Sequence, residues 1–166
     1  HEGLNGVPGK VEAGPPKHMS SAVGQIVNFL GTLQNEWAGA QAFSSFDTYM
    51  APFVRKDGMD YAAVRQCIQE LIYNLNVPSR WGTQTPFTNL TVDWTCPDDL
   101  KEQVPVIGGE EMRKCTSRAP ASRIICTIFT DVVPRTMESS ISTMRLPSTT
   151  QRLALCFRRT PSSRTV

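Results

Sequence analysis

Histidine is scarce in this chain. His1 and His18 both sit in a lead-in dense with glycine and proline, which leaves little material for a histidine-based general base or metal cluster. The five cysteines, Cys67, Cys96, Cys115, Cys126 and Cys156, contain no CxxC pair, so neither a zinc site nor a disulfide framework is indicated and a reducing compartment is the default. No apolar run approaches the roughly 18 residues of a membrane span, because Gly31, Gln34, Asn35 and Glu36 interrupt the longest one. A P-loop, GxGxxG, HExxH and GxSxG are all missing, and Gly108-Gly109 is too short to cradle a phosphate. With no start methionine and no charged-then-apolar signal segment, a chain opening on His1-Glu2-Gly3 is expected to be an internal piece of something longer.

Acidic residues are also missing from one end. Residues 1 to 112 carry 7 Lys/Arg against 13 Asp/Glu, whereas residues 113 to 166 carry 10 against 2, with 17 Ser/Thr and four prolines among them. The net charge of +2 therefore conceals two unlike parts, and Arg113 is taken as the start of a basic Ser/Thr/Arg-rich tail, disordered or of altered reading frame. In length and in its 40% hydrophobic content the chain otherwise fits a soluble domain with one core.

Leu33 to Val54, LQNEWAGAQAFSSFDTYMAPFV, is the richest stretch. Ile26, Leu30, Leu33 and Trp37 step by four, three and four, which lays one apolar stripe along a helix. Among them lie Gln34, Asn35, Glu36, Gln41, Ser44, Ser45 and Asp47, while Ala38, Gly39, Ala40 and Ala42 permit close backbone approach. Two readings stay open: a hydrogen-bonded pocket wall, or polar side chains facing water.

Along the chain, residues 1 to 18 read as loop, with Lys10, Lys17 and His18 available to an anion or merely solvated. A first helix is expected from about residue 20 to 42, capped by Ser20 or Ser21. Ser44 to Met50 should be a short helix or an irregular turn, since Pro52 blocks a helix through Met50 and Ala51. Asp47 is a functional candidate there, or equally a cap for local N–H groups. Asp60 should cap a clean amphipathic helix whose apolar face is Tyr61, Val64, Ile68, Leu71, Ile72 and Leu75, ended by Pro78. Cys67 lies on its apolar face as a small core residue. Phe87 to Val92 favours a strand, whose neighbours Gln84, Thr85 and Asn89 are candidates for ligand contact or for bracing. A surface connection follows to Gly109, with one helical turn around Leu100.

Four strings carry a resemblance: GLNGVPGKVEAGPPKH, VNFLGTLQNEWAGAQAFSSFDTYMAPFVRKDG, NLNVPSRWGTQTPFTNLTVDW and VIGGE. On these, residues 3 to about 111 resemble the anaerobic, class III ribonucleoside-triphosphate reductases, which are glycyl-radical enzymes. The resemblance implies an α/β fold, a fragment of a ten-stranded barrel that is here mostly helical, with one or two strands and an irregular tail. It implies ribonucleoside triphosphates as substrates, ATP and dNTP effectors, formate or thiols as reductant and a homodimer. A glycyl radical is installed by an activating enzyme carrying an iron–sulfur cluster and S-adenosylmethionine.

The family's first active-site cysteine would precede His1, and its thiyl cysteine, radical glycine and zinc cysteines would follow residue 166. No catalytic or metal residue therefore carries over, and the chain alone is expected to be inactive. The substrate-pocket candidates are Gln41, Ser44, Ser45, Asp47, Gln84, Thr85 and Asn89. A cytoplasmic protein without membrane or nucleic-acid partners is expected. The alternatives are another glycyl-radical barrel, formate-lyase-like, or a nucleic-acid-binding protein acting through the basic tail.

Overall fold

The computed structural model describes residues 6–7, 11–36, 41–76, 88–113, 119–136, 141–145 and 153–157. Hairpin strands β1 (Gly6–Val7) and β2 (Val11–Glu12) lead to helix α1 (Met19–Glu36), strand β3 (Gln41–Phe43), helix α2 (Phe46–Lys56) and helix α3 (Tyr61–Asn76). Strand β4 (Thr88–Val92), the single turn α4 (Asp98–Lys101) and a hairpin of β5 (Val106–Ile107) and β6 (Glu110–Glu111) come next. Helix α5 (Ala119–Thr136) and strands β7 (Ile141–Arg145) and β8 (Leu153–Phe157) complete the order.

One four-stranded sheet, ordered β3-β4-β8-β7, organises these parts. β3 and β4 run parallel, with Gln41 opposite Thr88 and Phe43 opposite Leu90, so α2 and α3 form the crossover that a parallel pair requires. Burial alternates along β4: Thr88, Leu90 and Val92 are buried, while Asn89 and Thr91 are half-buried on the opposite face. Helix α5 packs on both α2 and α3, and α1 packs on α3 and α2.

The amphipathic helix reads out as expected. α3 buries Val64, Cys67, Ile68, Leu71, Ile72 and Leu75, and the Asp60 carboxylate accepts the Ala63 N–H at 2.8 Å. Tyr61 is its exposed exception. α1 begins a residue before the serines proposed to cap it, and its first N–H, at Met19, faces the Asp57 carboxylate at 3.4 Å instead. That carboxylate also meets His18 Nδ1 at 3.0 Å, so an acid of this chain stands where an anion would sit. Lys10 lies outside the described residues. The lead-in, expected to be loop throughout, is interrupted by the β1–β2 pair.

Two further expectations need correction. Helix α2 runs straight through Pro52. An interior proline costs roughly 3 kcal/mol, but Phe46, Met50, Phe53 and Val54 are buried on the same short helix. Each such side chain contributes roughly 1.5 to 3 kcal/mol when fully buried, so packing outweighs the lost backbone bond. The irregular end expected after residue 113 instead contains α5, β7 and β8. Ala121, Ile125, Cys126, Ile128 and Phe129 of α5 belong to the same buried cluster as α1, α2 and α3. The change of composition at residue 113 therefore does not divide the core. Phe46 sits between Phe43 and Phe129, edge-on to both, with ring centroids 5.8 and 5.4 Å away. The described residues form no closed barrel.

The β5–β6 hairpin turns on Gly108 and Gly109, with φ of 62° and 85°. A Cβ on Gly108 would lie 2.7 Å from Lys17 Cγ, whereas one on Gly109 would meet nothing. Both alanine variants should carry left-handed strain of about 1 to 2 kcal/mol. Gly108→Ala should lose more stability than Gly109→Ala in urea unfolding, because only it must displace Lys17.

Candidate functional site

The polar centre of the structure is Asp47, in the first turn of α2 and fully buried. Its Oδ1 accepts the Asp93 N–H at 2.8 Å, and its Oδ2 accepts the Trp94 N–H at 3.2 Å, the Ser122 hydroxyl and the Cys126 thiol at 3.2 Å. Four donors on two segments, the end of β4 and α5, thus converge on one carboxylate. A buried charge persists only where hydrogen bonds replace its water, and here both oxygens are supplied. Next along the helix, the Thr48 hydroxyl donates to Asp93 Oδ2 at 3.1 Å. The first turn of α2 therefore grips the end of β4 twice.

Backbone strain lies on both sides of this grip. Ser45 precedes α2 at φ 56° with no side-chain cap, and Trp94 follows β4 at φ 63°. A non-glycine residue in this region costs on the order of 1 to 2 kcal/mol and needs surroundings that enforce it. For Trp94 the enforcing contact is its own N–H on Asp47.

The other pocket candidates separate. Gln41 is buried beside Thr88, and its Oε1 has no hydrogen-bond partner among the described residues. Asn89 Oδ1 is likewise without one, but Asn89 lies on the face away from Leu90 and Val92. Ser44 is exposed and Ser45 half-buried. Gln84 and Thr85 lie outside the described residues, as do the side chains of Gln34, Asn35 and Glu36. Asp47 caps no local N–H group in its own turn; its N–H partners are 46 and 47 residues away. Sequence reasoning passed over Thr48, Asp93, Ser122 and Cys126. Ser122 and Cys126 share a helix face by their spacing of four, the one signal that linked them.

Between α1, α2 and the β5 hairpin runs a groove of 470 Å³, lined mainly by Ile26, Phe29, Phe43, Met50 and Phe53. Among the described residues no three His, Cys, Asp or Glu side chains cluster to hold a metal, and no helix is long and apolar enough to cross a membrane. Burial raises the Cys126 thiol above its ordinary 9.0, aided by the Asp47 charge and the hydrogen bond to it. Burial also raises Cys67, with Glu70 and Asp57 adding to the effect.

Removing the hub carboxylate leaves buried donors unpaired, at about 1 to 3 kcal/mol each. Asp47→Ala should therefore lower unfolding free energy by roughly 3 kcal/mol or more, with Asp47→Asn between it and the parent because one acceptor survives. Equilibrium denaturation checks the order. The thiols give a pH signature: with folded values above 9.0, the native state keeps its protons where the unfolded state loses them. Stability contributed by these groups is complete below that value and falls as pH rises above it. The alkaline decline in melting temperature should be shallower in Cys126→Ser, whose hydroxyl still donates to Asp47 without ionising.

Comparison with known proteins bears on this geometry directly. The family model for "Anaerobic ribonucleoside-triphosphate reductase" matches residues 1–152, well past Glu111, where the recognisable strings end. A comparison with curated proteins gives no match. Among solved structures, the anaerobic ribonucleotide reductase from Thermotoga maritima in complex with dATP and CTP is similar at a TM-score of 0.58 and 25% identity, over 84% of this chain and 24% of that one. The same enzyme with dATP in its specificity site gives 0.58 and 25%, over 84% and 25%. Its form with MES in the active site gives 0.57 and 24%, over 82% and 24%. This chain spans about a quarter of the length of those enzymes. By the extent of the family match, it belongs to the anaerobic ribonucleoside-triphosphate reductase family.

Proposed function

We propose that this chain is part of the catalytic barrel of an anaerobic ribonucleotide reductase, and that the complete enzyme converts ribonucleoside triphosphates to deoxyribonucleoside triphosphates by radical chemistry. The observation that carries the reading is the parallel β3–β4 pair with helices on one face, lying inside the family-matched residues 1–152. A parallel pair joined through helices is the repeating unit of an α/β barrel wall. In a ten-stranded barrel β3 and β4 would be neighbouring staves, with α2 and α3 outside and the Asn89 face turned inward.

A glycyl radical in such an enzyme supplies the unpaired electron with which a thiyl group takes hydrogen from ribose. Three cysteines do not suit that task or a zinc site: Cys67 packs in α3, the Cys96 thiol donates to the Pro97 carbonyl, and the Cys126 thiol is committed to Asp47. No step is assigned to them, and the chain alone is inactive in this reading. Activation by an enzyme with an iron–sulfur cluster and S-adenosylmethionine, control by nucleotide effectors, a homodimer and a cytoplasmic location belong to the same proposal.

Within the chain, Asn89 is the pocket candidate best disposed to meet substrate. It pairs an unmatched acceptor with a position opposite the helices. Asp47, saturated and enclosed, braces the wall from behind. Gln41 shares the helix-covered face of Thr88, Ser44 and Ser45 lie just beyond the end of β3, and Gln84 and Thr85 stay candidates by sequence alone.

The test is complementation. Mixed anaerobically with the remaining three quarters of a reductase and its activating enzyme, the chain should restore conversion of CTP to dCTP; alone it should form none. Turnover by the chain by itself, or no turnover from a mixture in which the two parts demonstrably associate, refutes the proposal.

A further inference from the structure

Trp94 stands where the backbone least favours a large side chain. The Thr95 N–H donates to the Asp93 carbonyl at 2.7 Å, closing a three-residue turn with Trp94 at its apex. With φ at 63° this is the rare, strained form of the γ-turn, a conformation that glycine adopts without penalty. The turn is held through backbone groups: the Asp93 and Trp94 N–H groups donate to the buried Asp47 carboxylate at 2.8 and 3.2 Å. Glycine at this position would make the same hydrogen bonds, so they do not account for the indole.

Burial does not account for it either. Trp94 is 36% exposed, whereas Val92 and Asp93 just before it are fully buried. Phe29, Tyr61 and Tyr73 are exposed along helices, but Trp94 is exposed at the end of a strand. β3 and β4 run parallel, so their C-terminal ends share one edge of the sheet. The chain leaves that edge through Ser44 and Ser45 after β3 and through Asp93 and Trp94 after β4. Among the described non-glycine residues, positive φ is found at Ser45 and Trp94, one on each exit. The C-terminal edge of parallel strands is where α/β folds bind their ligands, and enforced strain collects at such sites.

The chemistry of this edge selects the kind of ligand. Ser44, Trp94 and Thr95 are exposed along it, and none carries a charge. Asp47 and Asp93 lie buried behind them, hydrogen-bonded within the protein. An uncharged rim with two acidic side chains behind it offers nothing to a triphosphate. The indole does offer a broad flat face to a neutral ring, and every nucleobase has a π-face to lay against it.

We infer that Trp94 is a contact residue of the substrate site, stacking on the base of the ribonucleotide while the triphosphate points away from this edge. The inference deepens the reductase reading above and rests on it. Stacking tolerates any base, so Trp94 contributes affinity common to the four ribonucleotides and not a choice among them.

Nucleotide binding by the associated mixture of this chain and the remaining three quarters of a reductase tests this. Equilibrium dialysis compares CTP with ribose 5-triphosphate, which has no base. Trp94→Gly keeps the N–H that Asp47 accepts; it should weaken CTP binding about tenfold and leave ribose 5-triphosphate unchanged. Trp94→Phe, which retains a ring, should stay within about threefold of the parent for CTP. Dialysis needs no radical, so absence of turnover, which would refute the reductase reading, leaves this comparison intact. Four results overturn the inference: no CTP bound by the parent mixture, CTP affinity unchanged in Trp94→Gly, equal losses for both ligands, or a weakened association of the two parts, which would make Trp94 an interface residue.

Discussion

The carboxylate of Asp47 is the constraint on which the rest of this structure leans. Its donors come from the end of β4 and from α5, at separations of 46, 47, 75 and 79 residues. Bringing such distant segments together carries a loop-closure cost that rises only with the logarithm of length. Once they are together, four donors share a single acceptor group, so each contact makes the others easier to hold. The arrangement is also unforgiving. An apolar residue at position 47 would leave two backbone N–H groups and a hydroxyl without partners in a dry interior.

That concentration of polarity explains where strain is tolerated. Ser45 and Trp94 both adopt left-handed backbone, one just before α2 and the other just after β4. These are the two places where the chain must turn sharply if Asp47 is to face the end of β4. A helix entering at a gentler angle would carry the carboxylate away from the Asp93 and Trp94 amides. Pro52 belongs to the same economy of packing: α2 is short, its apolar side chains are enclosed on several sides, and one absent N–H is a small loss beside them.

Legibility in the sequence followed the range of the interaction involved. α3 could be read because its information is local: a cap at Asp60, an apolar residue every three or four positions, and a proline beyond its end. α5 was hidden by composition. Its stripe of Ala121, Ile125, Ile128 and Phe129 has the same periodicity, but arginines and hydroxyls around it drew attention to charge, which governs solubility and partners rather than burial. β8 was lost in the same way, although LALCF alternates as a strand should. Asp47 stood out as a polar residue in an apolar setting, yet nothing within several residues of it could name its partners. Long-range hydrogen bonds leave no local pattern, so the hub was visible only as a question.

The two unmatched amides show how a single step of strand parity sets which face of the sheet a polar group lies on. Gln41 and Asn89 lie on adjacent strands, both with side-chain oxygens lacking partners among the described residues. Register pairs Gln41 with Thr88, whereas Asn89 pairs with Ala42. Side chains on neighbouring residues of a strand point to opposite faces. Gln41 therefore shares the face of Thr88, Leu90 and Val92, which the helices cover, while Asn89 and Thr91 share the other. An unmet acceptor beneath helices can be answered only by the protein itself. The Asn89 oxygen on the opposite face is enclosed as well, although its residue is only half-buried.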